Sequence, residues 1–310
     1  AIYRLHWGGL YRLKQRLMLG GKPYVDVQLV FSIIAVVFYS YVLYLMLTSK
    51  SSFLKSAFFR IYIVTGICDI MGILALEWTR AEIKATFGPT FELITRLATT
   101  MTGINFLTHI FGCFLMTINR FTAVCFPYRH RVIWHPRNVS VLVALEIIIS
   151  IAINMEGLIA NFDYKISAEG RWIRVGRHGS IEEARILATA LTLLYELVSV
   201  ALISYTIYVI NRQLRVSGHN FTQDMNLLIL TGIDCIMSMF KCIYNVSFLL
   251  KFQNPVIGWI RDQQDINLFF VMTANSYSII FLSHSLRREF LQRWKKSSSV
   301  QSTQTTMLLF

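Results

Sequence analysis

The sequence predicts an all-α membrane protein, a bundle of seven transmembrane helices, and three observations carry that prediction. Of the 310 residues, 55% are hydrophobic and only 15% are charged, whereas a soluble domain averages about 25% charged. The mean hydropathy is positive, +0.51. Seven segments each supply the roughly 20 mostly apolar residues that a helix needs to cross about 30 Å of hydrocarbon. A helix satisfies its own backbone in lipid, so it is the expected spanning form.

The predicted spans are Val25–Thr48, Ala57–Thr79, Leu97–Phe121, Val139–Ala160, Ala184–Ile210, Met225–Leu250 and Ile266–Leu286. Each is bounded by a stretch that reads as a loop. TSKSSFLKS, after the first, is short, polar and basic. RAEIKATFGPTFELITR holds Gly88–Pro89, and NFDYKISAEGRWIRVGRHGS is the longest connection. NRQLRVSGHNFTQD has Gly218 as a breaker, and KFQNPVIGWIRDQQD has Pro255 and Gly258. This divides the chain into an N-terminal tail (1–24), a seven-span domain (25–286) and a tail (287–310) that begins basic and turns Ser/Thr-rich. The N-terminal tail has five basic residues, no acid and no apolar core of the signal-peptide kind. In the C-terminal tail, RREFLQRWKK sets Phe290, Leu291 and Trp294 on one side among basic residues. That suits a short amphipathic eighth helix on the inner leaflet, with membrane lipid as its partner.

The net charge of +13 would suit nucleic acid in a polar chain, but here the basic residues border the spans. Loops on the C-terminal side hold Lys50 and Lys55, then Arg120, Arg129, Arg131 and Arg137, then Arg212 and Arg215. The tail adds Arg287, Arg288, Arg293, Lys295 and Lys296, with only Asp224 and Glu289 opposing. Cytoplasmic loops collect Lys and Arg, so loops and tail place the C-terminus inside and the N-terminus outside. The basic N-terminal tail counts the other way. In the N-out orientation none of the sequons at Asn138, Asn220 and Asn245 is usable. No P-loop, H-E-x-x-H or G-x-S-x-G motif is present, so no enzyme and no cofactor are predicted. The five cysteines lie in or beside apolar runs without a C-x-x-C spacing, and His130 and His135 have no acidic or Cys partners. No metal site is predicted either.

The most specific stretch is MTINRFTAVCFPYRHRVIW, Met116 to Trp134, at the exit of the third span. Arg120 stands where the helix leaves the bilayer, and Pro127 follows seven residues later. A lone Arg at such an end snorkels to the headgroups. Here Asn119–Arg120–Phe121, Pro127, Tyr128, a basic cluster and Trp134 occur together. The spacing resembles the acid–Arg–aromatic triplet of seven-helix G-protein-coupled receptors, with Asn in place of the acid. The run NRFTAVCFPYRHRVIW is similar, more closely, to nematode chemoreceptors of serpentine receptor class gamma.

The resemblance implies a chemosensory receptor in the plasma membrane, including that of sensory cilia, which binds a small molecule outside and activates a heterotrimeric G protein inside. Arg120 would contact the G protein, with Asn119, Pro127, Arg129 and Arg131 around it. Loss of the acid at Asn119 removes a local ion-pair partner for Arg120. The sixth span has no proline, the seventh no N-P-x-x-Y, and the long outer loop no cysteine. These departures fit the nematode receptors better than the rhodopsin-like ones.

Ionisable residues at membrane depth suggest function. Asp69, mid-way along the second span, reads either as a packing residue or, by the resemblance, as part of an internal polar, often sodium-linked, network with Asn275 and Tyr277. His109, Glu196, Lys241 and Tyr244 read as an outward-opening ligand pocket, with Tyr195 and Asn245 as further walls, or as internally paired residues with no ligand. Asp234 lies seven residues from Lys241 on nearly the same face, and Glu146 and Glu156 are carried by the fourth span. The alternative functions are an inverted seven-span ligand-gated channel subunit, which would turn the Arg120 stretch outward, and a small-solute transporter. A transporter would show more spans, inverted repeats or broken helices.

Overall fold

The computed structural model describes residues 27–51, 53–81, 88–159, 161–166, 172–177, 182–217, 222–249, 255–256, 259, 263–283 and 286–293. In chain order these form α1 (Val27–Thr48), α2 (Ala57–Arg80), α3 (Glu92–Cys125), α4 (Pro127–Ile133), α5 (Pro136–Asn154) and α6 (Glu156–Ile159). A hairpin of β1 (Phe162–Ile166) and β2 (Trp172–Arg177) follows, then α7 (Glu182–Ser217), α8 (Thr222–Leu249) and α9 (Gln264–Leu282). Residues 286–293 are again helical. Among the described residues, seven helices (α1, α2, α3, α5, α7, α8 and α9) are long and apolar enough to cross a membrane, so the chain is a multi-pass, all-α membrane bundle.

Each predicted span coincides with one of these helices, and the differences lie at the ends. α3 starts five residues before the predicted Leu97, in a turn where Arg96 and Glu92 approach to 3.9 Å at i, i+4 spacing. It stops at Cys125 because the residue before a proline disfavours helix: Phe126 has φ −136 and ψ 58, and Pro127 then occupies the first turn of α4. Proline is tolerated there because that N–H has no intrahelical partner. The same device repeats at His135–Pro136 to start α5. The predicted fourth span ran on to Ala160, whereas α5 ends at Asn154 and α6 is a separate turn. α7 has 36 residues, about 54 Å at helical rise, so it extends well past the hydrocarbon.

The long predicted loop contains a β-hairpin that periodicity did not announce. β1 and β2 pair antiparallel with Phe162 opposite Arg177 and Ile166 opposite Trp172, and the register shifts at Asp163/Tyr164. Glu92 Oε1 accepts the Phe162 N–H at 3.1 Å, which ties the hairpin to the start of α3. Trp172 packs against Gly88, whose φ of +54 favours glycine and where a Cβ would collide with the indole.

α3 is the central helix: 67% of its apolar window is buried, against 22% for α5 and for α7. Large apolar side chains such as Phe31, Val37, Leu47, Leu197 and Phe281 are exposed on the outer faces, as a helix surrounded by lipid requires. Three buried apolar clusters lie inside among the described residues, the smallest being Val124, Ile210 and Leu228. Of the larger two, one gathers Tyr39, Phe58, Phe59, Tyr62, Met116 and Trp134. The other gathers Ala35, Ile73, Leu76, Phe106, Ile110 and Met272. α1 and α2 approach closely at Gly66, where a Cβ would stand 2.9 Å from Tyr39 Cε2, consistent with small residues at membrane helix interfaces.

Candidate functional site

Three candidate regions lie along α3. At one end a cavity of about 760 Å³ is lined by the start of α3 (Thr99, Thr100, Gly103), the end of α8 (Lys241, Tyr244, Asn245) and the start of α9 (Gln264, Asp265). Phe162 and Val175 of the hairpin also line it. Lys241 is buried, and its Nζ lies 4.3 Å from the Tyr244 ring centroid and 5.9 Å from that of Phe106, within cation–π range. Asn245, 8% exposed, supplies an amide to the same wall.

One turn further along α3 begins a polar cluster enclosed by apolar layers. His109 Nδ1 meets Asp69 Oδ1 at 2.8 Å, and Tyr39 donates its hydroxyl to Asp69 Oδ2 at 2.9 Å. Both carboxylate oxygens of Asp69 are therefore engaged by protein groups. His109 Nε2 lies 3.6 Å from Cys113 Sγ, and the thiol donates to Asp234 Oδ2 at 3.6 Å. Asn275 Nδ2 donates to the same sulfur at 3.7 Å, while its backbone carbonyl accepts from Tyr62 at 2.9 Å. On α8, Ser238 donates to Glu196 Oε1 and, at 2.9 Å, to the carbonyl of Asp234. Six of the seven spans contribute: α1, α2, α3, α8 and α9, and α7 through Glu196. The remaining oxygens Asp234 Oδ1, Glu196 Oε2 and Asn275 Oδ1 are buried without a hydrogen-bond partner among the described residues.

The far end of α3 is the Arg120 exit. Arg120 is buried with its guanidinium 4.5 Å over the Phe58 ring of α2. Asn119 is buried beside it, and its Nδ2 makes no hydrogen bond among the described residues. Thr122, on the next turn, accepts the Trp134 indole N–H at 2.7 Å and meets His130 Nδ1 at 3.2 Å. This folds α4 back onto α3, and Trp134 becomes part of the core. Arg129 and Arg131 are left exposed on α4. Beyond α9, Glu289 accepts from Ser49 at 2.7 Å and pairs with Arg293 at 3.2 Å, while Phe290 packs edge-on to Tyr41. The helical part of the tail thus rests against the end of α1. Trp294, Lys295 and Lys296 lie outside the described residues.

The residues singled out from sequence divide. Asp69 and Asn275 join one cluster, but Tyr277 does not belong to it: it is 36% exposed and stacks on Phe38 at 4.9 Å. The ligand-pocket set splits too. Lys241 and Tyr244 line the cavity, whereas His109 and Glu196 sit deeper, in the polar cluster. Tyr195 packs between Phe111 and Phe114 at 4.7 and 4.6 Å. Glu146 is buried, and Glu156 opens α6. Sequence reading missed Tyr39, Cys113, Ser238 and Thr122. A signal existed for one of them, since His109 and Cys113 share a helix face at i, i+4. The ligand atoms of His109, Cys113 and Asp234 lie within 4.8 Å of one another, and Asp234, 121 positions beyond Cys113, is the member that no spacing announces.

No curated protein matches the chain. The family model of the Srg family chemoreceptors matches residues 25–290, from the start of the first span to the helix after the seventh. That match covers most of the chain and every one of its seven spans, so the chain belongs to the Srg family of chemoreceptors, which are receptors and not enzymes.

Proposed function

We propose that this chemoreceptor is a G-protein-coupled receptor of the plasma membrane, with the N-terminus outside and the C-terminus inside. It binds a small molecule in the Lys241–Tyr244 cavity and activates a heterotrimeric G protein at the Arg120 exit. One observation carries the reading: the cavity and the Arg120 exit occupy opposite ends of the one central helix, with the buried polar cluster between them. A ligand that binds one helix arrangement better than another shifts the population toward it, and α3 passes through both sites. In this reading Asn119, Arg120 and Pro127 form the coupling surface with Arg129 and Arg131 on α4. Asp69 and Asn275 hold the internal network that the two arrangements share out differently. Residues 25–286 are the receptor domain, 1–24 an outer tail and 287–310 an inner tail bearing a short helix that lies on lipid.

The test is G-protein activation by the expressed receptor in a screen of small odorants. Arg120→Ala abolishes activation and leaves surface expression largely intact; normal coupling by that variant overturns the assignment. Lys241→Met lowers potency for the activating ligand by about tenfold or more, the size of a lost charge-assisted contact. Orientation is checked separately. A cysteine placed at position 129 stays protected from an impermeant thiol reagent in intact cells, and labelling there would favour the inverted channel topology.

A further inference from the structure

We propose that His109, Cys113 and Asp234 form a binding site for a thiophilic divalent cation, with zinc as the reference ion, which staples α3 to α8. The three ligand atoms all lie within 4.8 Å of one another in the bundle interior. Zinc bonds sulfur at about 2.3 Å and imidazole nitrogen or carboxylate oxygen at about 2.0–2.2 Å, and a tetrahedral ion therefore sets sulfur about 3.6 Å from either neighbour. The structure has Nε2 to Sγ at 3.6 Å and Sγ to Oδ2 at 3.6 Å. The third edge closes by turning Asp234, whose Oδ1 is buried and without a hydrogen-bond partner among the described residues.

The surroundings are those a metal ligand set needs. Asp69 holds His109 through Nδ1 at 2.8 Å and is itself held by Tyr39. With Nδ1 committed, Nε2 presents its lone pair toward Cys113, the carboxylate–histidine–metal arrangement that fixes ring orientation. Asn275 Nδ2, 3.7 Å from the sulfur, supplies an N–H to a thiolate. One thiolate and one carboxylate neutralise the divalent ion itself, and the Asp69 carboxylate is met by the His109 N–H and the Tyr39 hydroxyl. On binding, the Cys113 thiol proton that points at Asp234 leaves to solvent and the ion takes its place, so the step exchanges one proton for one metal bond at sulfur. Three protein ligands leave a fourth position open.

The experiment uses the purified full-length receptor in lipid nanodiscs, titrated with Co²⁺ as a spectroscopic probe and with Zn²⁺ in competition. One equivalent of Co²⁺ is expected to give a thiolate-to-cobalt charge-transfer band and the strong d–d absorption of a tetrahedral site, both removed by Zn²⁺. Cys113→Ser loses the charge-transfer band. In the reverse variant, with Cys68, Cys125, Cys235 and Cys242 all replaced by Ala, Cys113 is the sole thiol and the band persists. Asp69→Asn keeps the band but weakens affinity about 10–100-fold, as expected for loss of a ligand's orienting partner. A wild-type receptor without the band, or a band that survives Cys113→Ser, overturns the site.

Discussion

The middle of α3 and its Arg120 end are built on opposite principles. From His109 to Cys113 every polar side chain is enclosed, and the partners are remote in sequence: Asp69, Asp234 and Asn275 stand 40, 121 and 162 positions away. From Asn119 to Trp134 the hydrogen bonds described are local, since Thr122 reaches His130 and Trp134 eight and twelve positions on, and the long-range contacts are packing ones, such as Arg120 over Phe58. The first arrangement exists only when six helices are already packed, and low dielectric makes each of its groups expensive to leave unmatched. The second makes its hydrogen bonds within one stretch of chain and, apart from the buried Arg120, leaves its arginines Arg129 and Arg131 exposed. Stability should therefore be concentrated in the middle, and the capacity to meet a partner at the exit.

The sharpest test of that contrast is Asp69→Ala, which strips His109 and Tyr39 of their shared acceptor. Removing one partner of a buried polar pair of this kind costs about 3–5 kcal/mol. A large drop in thermal midpoint in nanodiscs is expected, and a small one would show that the cluster does not hold the bundle. Next in size is Gly66→Val. With Tyr39 Cε2 only 2.9 Å from where a Cβ would stand, overpacking between α1 and α2 is expected to cost about 1–3 kcal/mol, read in the same melts. Smaller again is Trp134→Phe, which keeps the ring in the core and deletes one N–H bond to Thr122, about 0.5–1.5 kcal/mol. Thr122→Val should cost a similar amount, and the double variant little more than either single. Full additivity would mean that the 2.7 Å bond is not the shared cause.

These two regions were also unequally legible. The seven spans follow from apolar length alone, and some of their ends are set by features that length does not see, such as Pro127, Pro136 and the ion pair Glu92–Arg96, while the early end of α5 at Asn154 has no such mark. The NRFT…HRVIW run was visible because its residues are close in the chain and its helix-breaking proline has a fixed meaning. That Thr122 joins the His and the Trp was not visible, since a threonine in a helix carries no mark of what reaches it. The buried cluster was half legible. Asp69, His109, Glu196, Asp234 and Lys241 stood out as ionisable residues at membrane depth, but helical spacing gives height along one helix and not azimuth against another. Hence His109 and Glu196 were grouped with Lys241 in a pocket although they face Asp69 and Ser238. Tyr277 was read as interior although it faces Phe38. Cys113 carries no charge and passed unnoticed. The hairpin was hidden because FDYKI and WIRVGR are too short to outweigh their polar residues, though their aromatic and β-branched content marked them.

The smallest expected effect on stability belongs to Arg129→Gln with Arg131→Gln. Both side chains are exposed on α4, a helix held from its two ends by Pro127 and by the anchored Trp134. Surface changes away from packing stay within about 0.5 kcal/mol, so the double variant should melt like the parent. Its coupling should nonetheless fall, because the charges it removes are free to meet an acidic partner and are not spent inside the fold. Exposed charges are screened over about 8 Å at physiological ionic strength, so the parent's coupling should weaken with added salt and the variant's should change less. A variant that melts normally and couples normally would confine the partner surface to Arg120 itself. One that destabilises the bundle as Asp69→Ala does would erase the contrast between the two regions, because α4 would then be carrying the fold.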